Sequence, residues 1–113
     1  MKTLQEIFNK IWERSKTKKQ AFGDQGCMYL DESGNRCFVG CLIEPEFYSE
    51  AFEGWNYMRP DISNALKSSG VNTKDIKIEC LLSDARGIHD SDKTENWDVE
   101  LRKLAAKFDL VVP

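Results

Sequence analysis

GCMYLDESGNRCFVGCLIEPEFY, residues 26–48, is the stretch on which the reading of the fold turns. It holds Cys27, Cys37 and Cys41, and its Asp31-Glu32-Ser33-Gly34 is the clearest turn signal in the chain. An acidic residue opening the turn and a glycine closing it fit a type I turn followed by a left-handed glycine bulge. As the corner of a β-hairpin, this turn sets Tyr29 opposite Cys37 and Cys27 opposite Val39. Alternation then places Cys27, Tyr29, Cys37, Val39 and Cys41 on one face, and Met28, Leu30 and Phe38 on the other. Both faces are largely apolar. The spacing therefore predicts a hairpin covered by helices, because a lone hairpin is marginal in water.

Helical signals flank this stretch on both sides. Thr3 and Glu6 form a capping box, and Leu4, Ile7, Phe8, Ile11 and Trp12 follow at helical spacing, so the first helix is expected from about Leu4 to about Lys16. The polar segment up to Gln25 reads as a loop. Glu44-Pro45-Glu46 looks like a short helix start. Arg59-Pro60-Asp61 opens another helix, with Ile62, Ala65 and Leu66 as its inner stripe and Gly70-Val71 as its stop. Asn72 or Thr73 is expected to cap a helix whose buried stripe is Ile78, Leu81, Leu82, Ala85 and Ile88. Residues 90–93 read as a polar link. Thr94 then caps a last helix with Trp97, Leu101, Leu104, Ala105 and Phe108 inside. The apolar tail, residues 110–113, is expected to pack back in extended form. The fold class that results is α+β: a mainly helical single domain over residues 1–113, with one β-hairpin packed against four to five helices.

The composition sets outer limits. At 113 residues the chain is one ordinary domain, with 41% hydrophobic and 31% charged residues. A net charge of −3 gives no global reason to bind duplex nucleic acid or an acidic membrane. Local charge is uneven: Lys10, Arg14, Lys16, Lys18 and Lys19 cluster near one end, while Glu44, Glu46, Glu50 and Glu53 follow one another with no basic residue between. No segment approaches the ~18 apolar residues of a membrane span. Polar residues interrupt the N-terminal helix too often for a signal peptide. A cytoplasmic location is expected, and with it reduced thiols rather than disulfides.

Few residues carry a chemical signature. The cysteines form no Cys-x-x-Cys pair, and zinc sites use close ligand pairs, so no metal is expected; a site joining the hairpin cysteines to Cys80 or His89 is the one conceivable exception. A cysteine nucleophile would need His89, the sole histidine, as base, oriented by Asp84, Asp90 or Asp92. Glycine-rich phosphate loops and Gly-x-Ser-x-Gly are absent from the sequence. The case for an enzyme is weak, and no catalytic residue or cofactor is assigned. The better lead is aromatic. Phe47, Tyr48, Phe52, Trp55 and Tyr57 crowd into residues 47–57, with Arg59 close behind. Exposed rings beside arginine suit stacking on a base or gripping a partner.

Cys27-x-Tyr29, the Gly-containing turn, Arg36-Cys37-Phe38-Val39-Gly40-Cys41-Leu42-Ile43, Tyr48, Glu53-Gly54, Ile88-His89-Asp90 and Trp97 together resemble an uncharacterised family of small phage, prophage and bacterial proteins. The resemblance transfers no catalytic residue. It implies a phage origin, and by analogy an anti-defence role. The resulting expectation is a non-catalytic binding protein that sequesters a nucleotide-derived small molecule such as a host immune signal. Trp55 or Tyr57 would stack on the base, Arg59 and Arg36 would meet phosphate, and Phe52 and Tyr48 would complete the site. Lys16, Lys18 and Lys19 stand as further anion contacts. A homo-oligomer would supply depth, with the pocket between protomers. One alternative is an inhibitor that binds a host protein through the acidic aromatic segment 44–59. A second is a small Cys/His-dependent enzyme.

Overall fold

A computed structural model describes residues 1–23, 26–91 and 93–113. The first helix, α1 (Leu4–Ser15), starts where the capping box requires. The Thr3 hydroxyl accepts from the Glu6 amide at 3.1 Å, and the Glu6 carboxylate accepts from the Thr3 amide at 2.9 Å. Its apolar stripe of Ile7, Phe8, Ile11 and Trp12 is buried. The second helix, α2 (Pro60–Ser68), has Pro60 in its first turn, where a missing N–H costs nothing. It closes on Gly70 at φ +91°, with the Val71 amide donating to the Leu66 carbonyl at 2.8 Å, the six-to-one bond of a Schellman stop.

Helix α3 (Ile76–Ser91) departs from expectation at both ends. Its N-terminal amides are met by Asp75, whose Oδ1 accepts from Lys77 and Ile78, while Asn72 and Thr73 are spent elsewhere: Asn72 closes a local turn and Thr73 bonds the Ser63 hydroxyl. At the other end the helix runs on through His89 and Asp90, so the expected polar link is shorter than residues 90–93; Asp92, within that link, lies outside the described residues. A single 3-10 turn, Thr94–Asn96, leads into α4 (Trp97–Lys107), which buries Trp97, Leu101, Leu104 and Ala105. Helices α1, α3 and α4 pack on one another as the main layer. The C-terminal tail folds back as expected: the Gln5 side chain brackets Val111, donating to its carbonyl and accepting from its amide, and Leu110 and Val112 pack on the core. Among the described residues no helix is long and apolar enough to cross a membrane.

Among the described residues the α+β character rests on one small antiparallel hairpin, and it is not the expected one. Strands β1 (Phe22–Gly23) and β2 (Gly26–Cys27) pair Phe22 with Cys27 and Gly23 with Gly26. The polar loop expected up to Gln25 therefore holds β1; Asp24 and Gln25 lie outside the described residues. The turn at residues 31–34 forms as read: the Gly34 amide donates to the Asp31 carbonyl, Gly34 sits at φ +86°, and the Asp31 amide donates to the Asn35 carbonyl at 2.9 Å. The strands expected on either side of it do not. Cys37, Phe38 and Val39 are buried in succession, with no alternation, and the chain coils into a 3-10 turn at Gly40–Leu42. Residues 37–43 are a continuous apolar run, which fits a buried strand and a buried coil equally well. The coil prevails because Phe38 enters the core edge-on to both Trp97 and His89, at centroid distances of 4.8 and 5.3 Å. Gly40 meanwhile crosses so close to the Tyr29 carbonyl that a Cβ there would overlap it. Further 3-10 turns at Pro45–Phe47 and Glu50–Phe52 replace the short helix expected at Pro45.

Candidate functional site

Two adjoining cavities open beside β2, and both are lined by Cys27 and Gly54. The larger is a cleft of about 500 Å³ between β1–β2, the turn at residues 31–34 and residues 50–54. Its apolar lining is Phe22 and Met28; its polar lining includes Asp31, Glu32, Glu50 and Glu53, with no lysine or arginine among the described lining residues. Two of these acids are committed to the backbone. The Glu53 carboxylate accepts from the amides of Tyr29 (2.9 Å) and Leu30 (3.1 Å) and from the Tyr48 hydroxyl (2.6 Å). It thereby ties two loops into one wall. Asp31 Oδ1 accepts from the amides of Ser33 and Asn35. Glu32 and Glu50 are exposed and form no ion pair among the described residues.

The smaller cavity, about 200 Å³, is lined by Cys27, Cys37, Tyr29, Val39, Trp55, Asn56, Arg86 and Asp90. Behind it lies His89, fully buried, stacked on Trp97 at 5.5 Å. The hydrogen bonds assign its tautomer. Nε2 accepts from the Ala21 amide at 3.1 Å, so Nδ1 carries the proton and donates to Asp90 Oδ1 at 2.8 Å. Cys27 Sγ lies 3.8 Å from the same Nδ1. The single lone pair of the neutral ring is thus spent on the backbone, and none is left to take a proton from a thiol. The same tautomer bears on metal binding. The donor atoms of Cys27, His89 and Asp90 lie within 4.8 Å of one another, but a metal on Nδ1 would leave Nε2–H pointing at the Ala21 N–H. The residues do not fit a metal centre.

The ionisation of the neighbours follows from these contacts. Burial opposes charge on Asp90, yet hydrogen bonds from His89 and Cys27 outweigh it and hold the carboxyl below its ordinary range. The neighbouring Cys37 sulfur and burial raise the Cys27 thiol, while Cys37, beside Cys27 and with the Gly40 N–H turned on its sulfur, is lowered although burial opposes its charge. Cys37 Sγ also accepts from the Gly40 amide at 3.2 Å. Burial pushes Cys41 up to about 12, and its thiol donates to the Phe38 carbonyl. All four cysteines are free thiols, and only Cys80 is exposed.

The structure disperses the aromatic residues read as a ligand site. Phe52 and Tyr57 are 6% and 2% exposed, so neither offers a ring face to a base; the Tyr57 hydroxyl bonds Glu79. The correction has a simple cause: residues 50–57 form the lid of the core, and these two rings point inward. Tyr48 stands edge-on to Phe52 and bonds Glu53. Arg36 is not a phosphate contact in this arrangement, because its guanidinium donates to the carbonyls of Ile43 (2.9 Å) and Gly40 and braces the coil. Of Tyr48, Phe52, Trp55 and Tyr57, Trp55 alone is exposed, at 60%, and Arg59 lies over its ring at 4.6 Å while pairing with Asp61 at 3.0 Å. Lys16, Lys18 and Lys19 line neither cavity. Sequence reasoning missed Arg86 and the bracing role of Glu53, and it had Asp90 only as a candidate orienter of His89. Glu53 reaches its partners across 24 positions, and no local pattern announces that. No protein-family model, curated protein or solved structure matches this chain.

Proposed function

We propose that this chain is a non-catalytic binding protein whose contact surface is the acidic cleft beside Trp55, and that it takes a basic side chain, lysine or arginine, from a partner protein. The observation that carries this reading is the lining of the larger cleft, which among the described residues includes four carboxylates, the apolar side chains of Phe22 and Met28, and no cation. A guanidinium or ammonium group entering it would find Glu32 and Glu50 unpaired, while its aliphatic stem would lie along Phe22 and Met28. Trp55, on the rim of the neighbouring cavity, supplies the exposed aromatic anchor that such contact surfaces favour. The reading develops the inhibitor that binds through segment 44–59, and it is compatible with a phage-borne protein aimed at a host component.

The nucleotide reading retains one supporting feature, the exposed Trp55–Arg59 stack. Charge disfavours it. A phosphate in the larger cleft meets only acids, and in the smaller one Arg86 lies 3.8 Å from Asp90. Titration calorimetry with an arginine-rich peptide and, separately, with mono- and dinucleotides decides between the two. The peptide should bind, weaken as salt rises, and lose binding in Glu50→Lys and Glu32→Lys while Trp55→Ala only weakens it. Nucleotide binding that survives Glu50→Lys and disappears in Trp55→Ala overturns the proposal and moves the site to the Trp55–Arg59 surface. Absence of peptide binding at low salt overturns it as well.

A further inference from the structure

The smaller cavity brings two thiols together for which the acidic cleft has no use. Cys37 is 2% exposed to bulk solvent but forms part of the cavity wall, next to Cys27, Arg86 and Asp90. Its sulfur accepts an N–H from Gly40 at 3.2 Å, at the opening of the Gly40–Leu42 turn, and it shares the cavity wall with Cys27. Donors aimed at sulfur stabilise the thiolate, the form that reacts. Cys41, four residues on, has the opposite arrangement: its thiol is a donor to the Phe38 carbonyl and burial keeps it protonated. Cys80 is exposed but lines neither cavity.

We propose that Cys37 and Cys27 form a peroxide-oxidisable dithiol, with Cys37 as the sulfur that is attacked first and Cys27 as the resolving thiol. A cavity of about 200 Å³ admits hydrogen peroxide and excludes bulky oxidants. In the first step the Cys37 thiolate forms an S–O bond as the O–O bond of peroxide breaks; the departing hydroxide takes a proton and leaves as water, and Cys37 becomes the sulfenic acid. In the second step the Cys27 sulfur displaces that oxygen. An S–S bond forms, the S–O bond breaks, and the hydroxyl leaves with the Cys27 proton as a second water. Peroxide is the two-electron oxidant throughout, and the protein dithiol is what is oxidised. His89 is not needed as a base, because the Cys27 proton leaves with the departing hydroxyl. This inference does not depend on what the acidic cleft binds.

The test is a thiol count and peptide mapping after a low stoichiometric dose of hydrogen peroxide on the full chain. The wild type, with four cysteines, should fall to two free thiols, with a single Cys27–Cys37 disulfide that a dithiol reductant reverses. In Cys27→Ser the reaction should stop at a Cys37 sulfenic acid, captured by a cyclic-diketone reagent, and Cys80→Ser should leave the wild-type result unchanged. Oxidation confined to Cys80, a disulfide involving any other pair, or a Cys37 that stays reduced while Cys80 is consumed each overturns the proposal. The wild-type map and Cys80→Ser carry the decision on their own if Cys27→Ser fails to fold.

Discussion

Replacing His89 separates a structural histidine from a catalytic one. In His89→Ala two losses combine. A fully buried ring packed among Trp97, Phe38 and Phe22 disappears, and the Ala21 N–H loses its acceptor. Deleting a buried aromatic side chain typically costs ~3–5 kcal/mol. Orphaning a buried N–H costs ~1–3 kcal/mol. Because water entering the new space can satisfy the Ala21 N–H in place of the ring, the packing loss sets the total, about 3–5 kcal/mol. With an unfolding entropy of ~2.1 cal/mol/K per residue, each kcal/mol lowers Tm by roughly 4 °C in a chain of 113 residues, so the fall should be about 12–20 °C. His89→Phe keeps the ring but not the bond and should lose only ~1–3 kcal/mol. The assay is thermal and urea unfolding followed by circular dichroism, with the same slope m required in all three proteins. A His89→Ala protein as stable as the wild type would refute the reasoning, since a ring that can be removed without loss is not one the fold depends on. A His89→Phe as damaged as His89→Ala would refute the division into packing and hydrogen bonding.

Two further outcomes follow from the same contacts. Gly40→Ala should destabilise by ~1–3 kcal/mol or more, because the new methyl overlaps the Tyr29 carbonyl and the backbone must shift; urea unfolding checks it, and an unchanged midpoint would contradict the close crossing. Asp90 has a folded-state pKa below its unfolded value, so its contribution is present above the unfolded carboxylate pKa of ~3.9 and is lost as pH falls through the lower folded value. Asp90→Asn should therefore be less stable than wild type at pH 7, with the gap narrowing as the pH drops below ~4, and a gap independent of pH would show that the charge is not what matters.

Much of the helical layer was legible from period alone. The stripe of α1, the Pro60 start and Gly70 stop of α2, and the inner faces of α3 and α4 are where 3.6-residue spacing puts them. The hairpin was not. Residues 37–43 contain no polar residue to set a phase, so the sequence allowed a strand, while β1 and β2 are two residues each, too short for any alternation to show. The site was less legible still. Aromatic density in residues 47–57 marked a segment that lies beside two cavities, but it could not tell inward rings from outward ones. That distinction depends on tertiary packing: Phe52 and Tyr57 turn in and Trp55 turns out within a few positions. His89 and Asp90 were seen as a pair, yet their roles depend on Ala21, 68 positions away.

The acids of the cleft are better understood once the backbone of residues 26–48 is accounted for. A buried or half-buried chain without a strand ladder must still satisfy its amides and carbonyls. Here side chains take the place of a partner strand. Glu53 receives the Tyr29 and Leu30 amides, Asp31 those of Ser33 and Asn35, Cys37 that of Gly40, and Ser69 that of Glu44, while Arg36 donates to the Ile43 carbonyl. Glu53 and Asp31 therefore have little freedom to rearrange around a ligand. Their charge is fixed in place and acts as a background field, whereas Glu32 and Glu50 are free to move onto an incoming cation. A neutral replacement of Glu53 would both loosen the wall and weaken the field, which is why Glu50 and Glu32 are the substitutions that report on binding alone. The same accounting explains why Cys37, which is buried, differs from Cys41, which is half-buried: one sulfur is used as an acceptor in place of a ladder bond, the other as a donor. Reactivity at Cys37 is thus a consequence of how an irregular, apolar segment satisfies its own backbone.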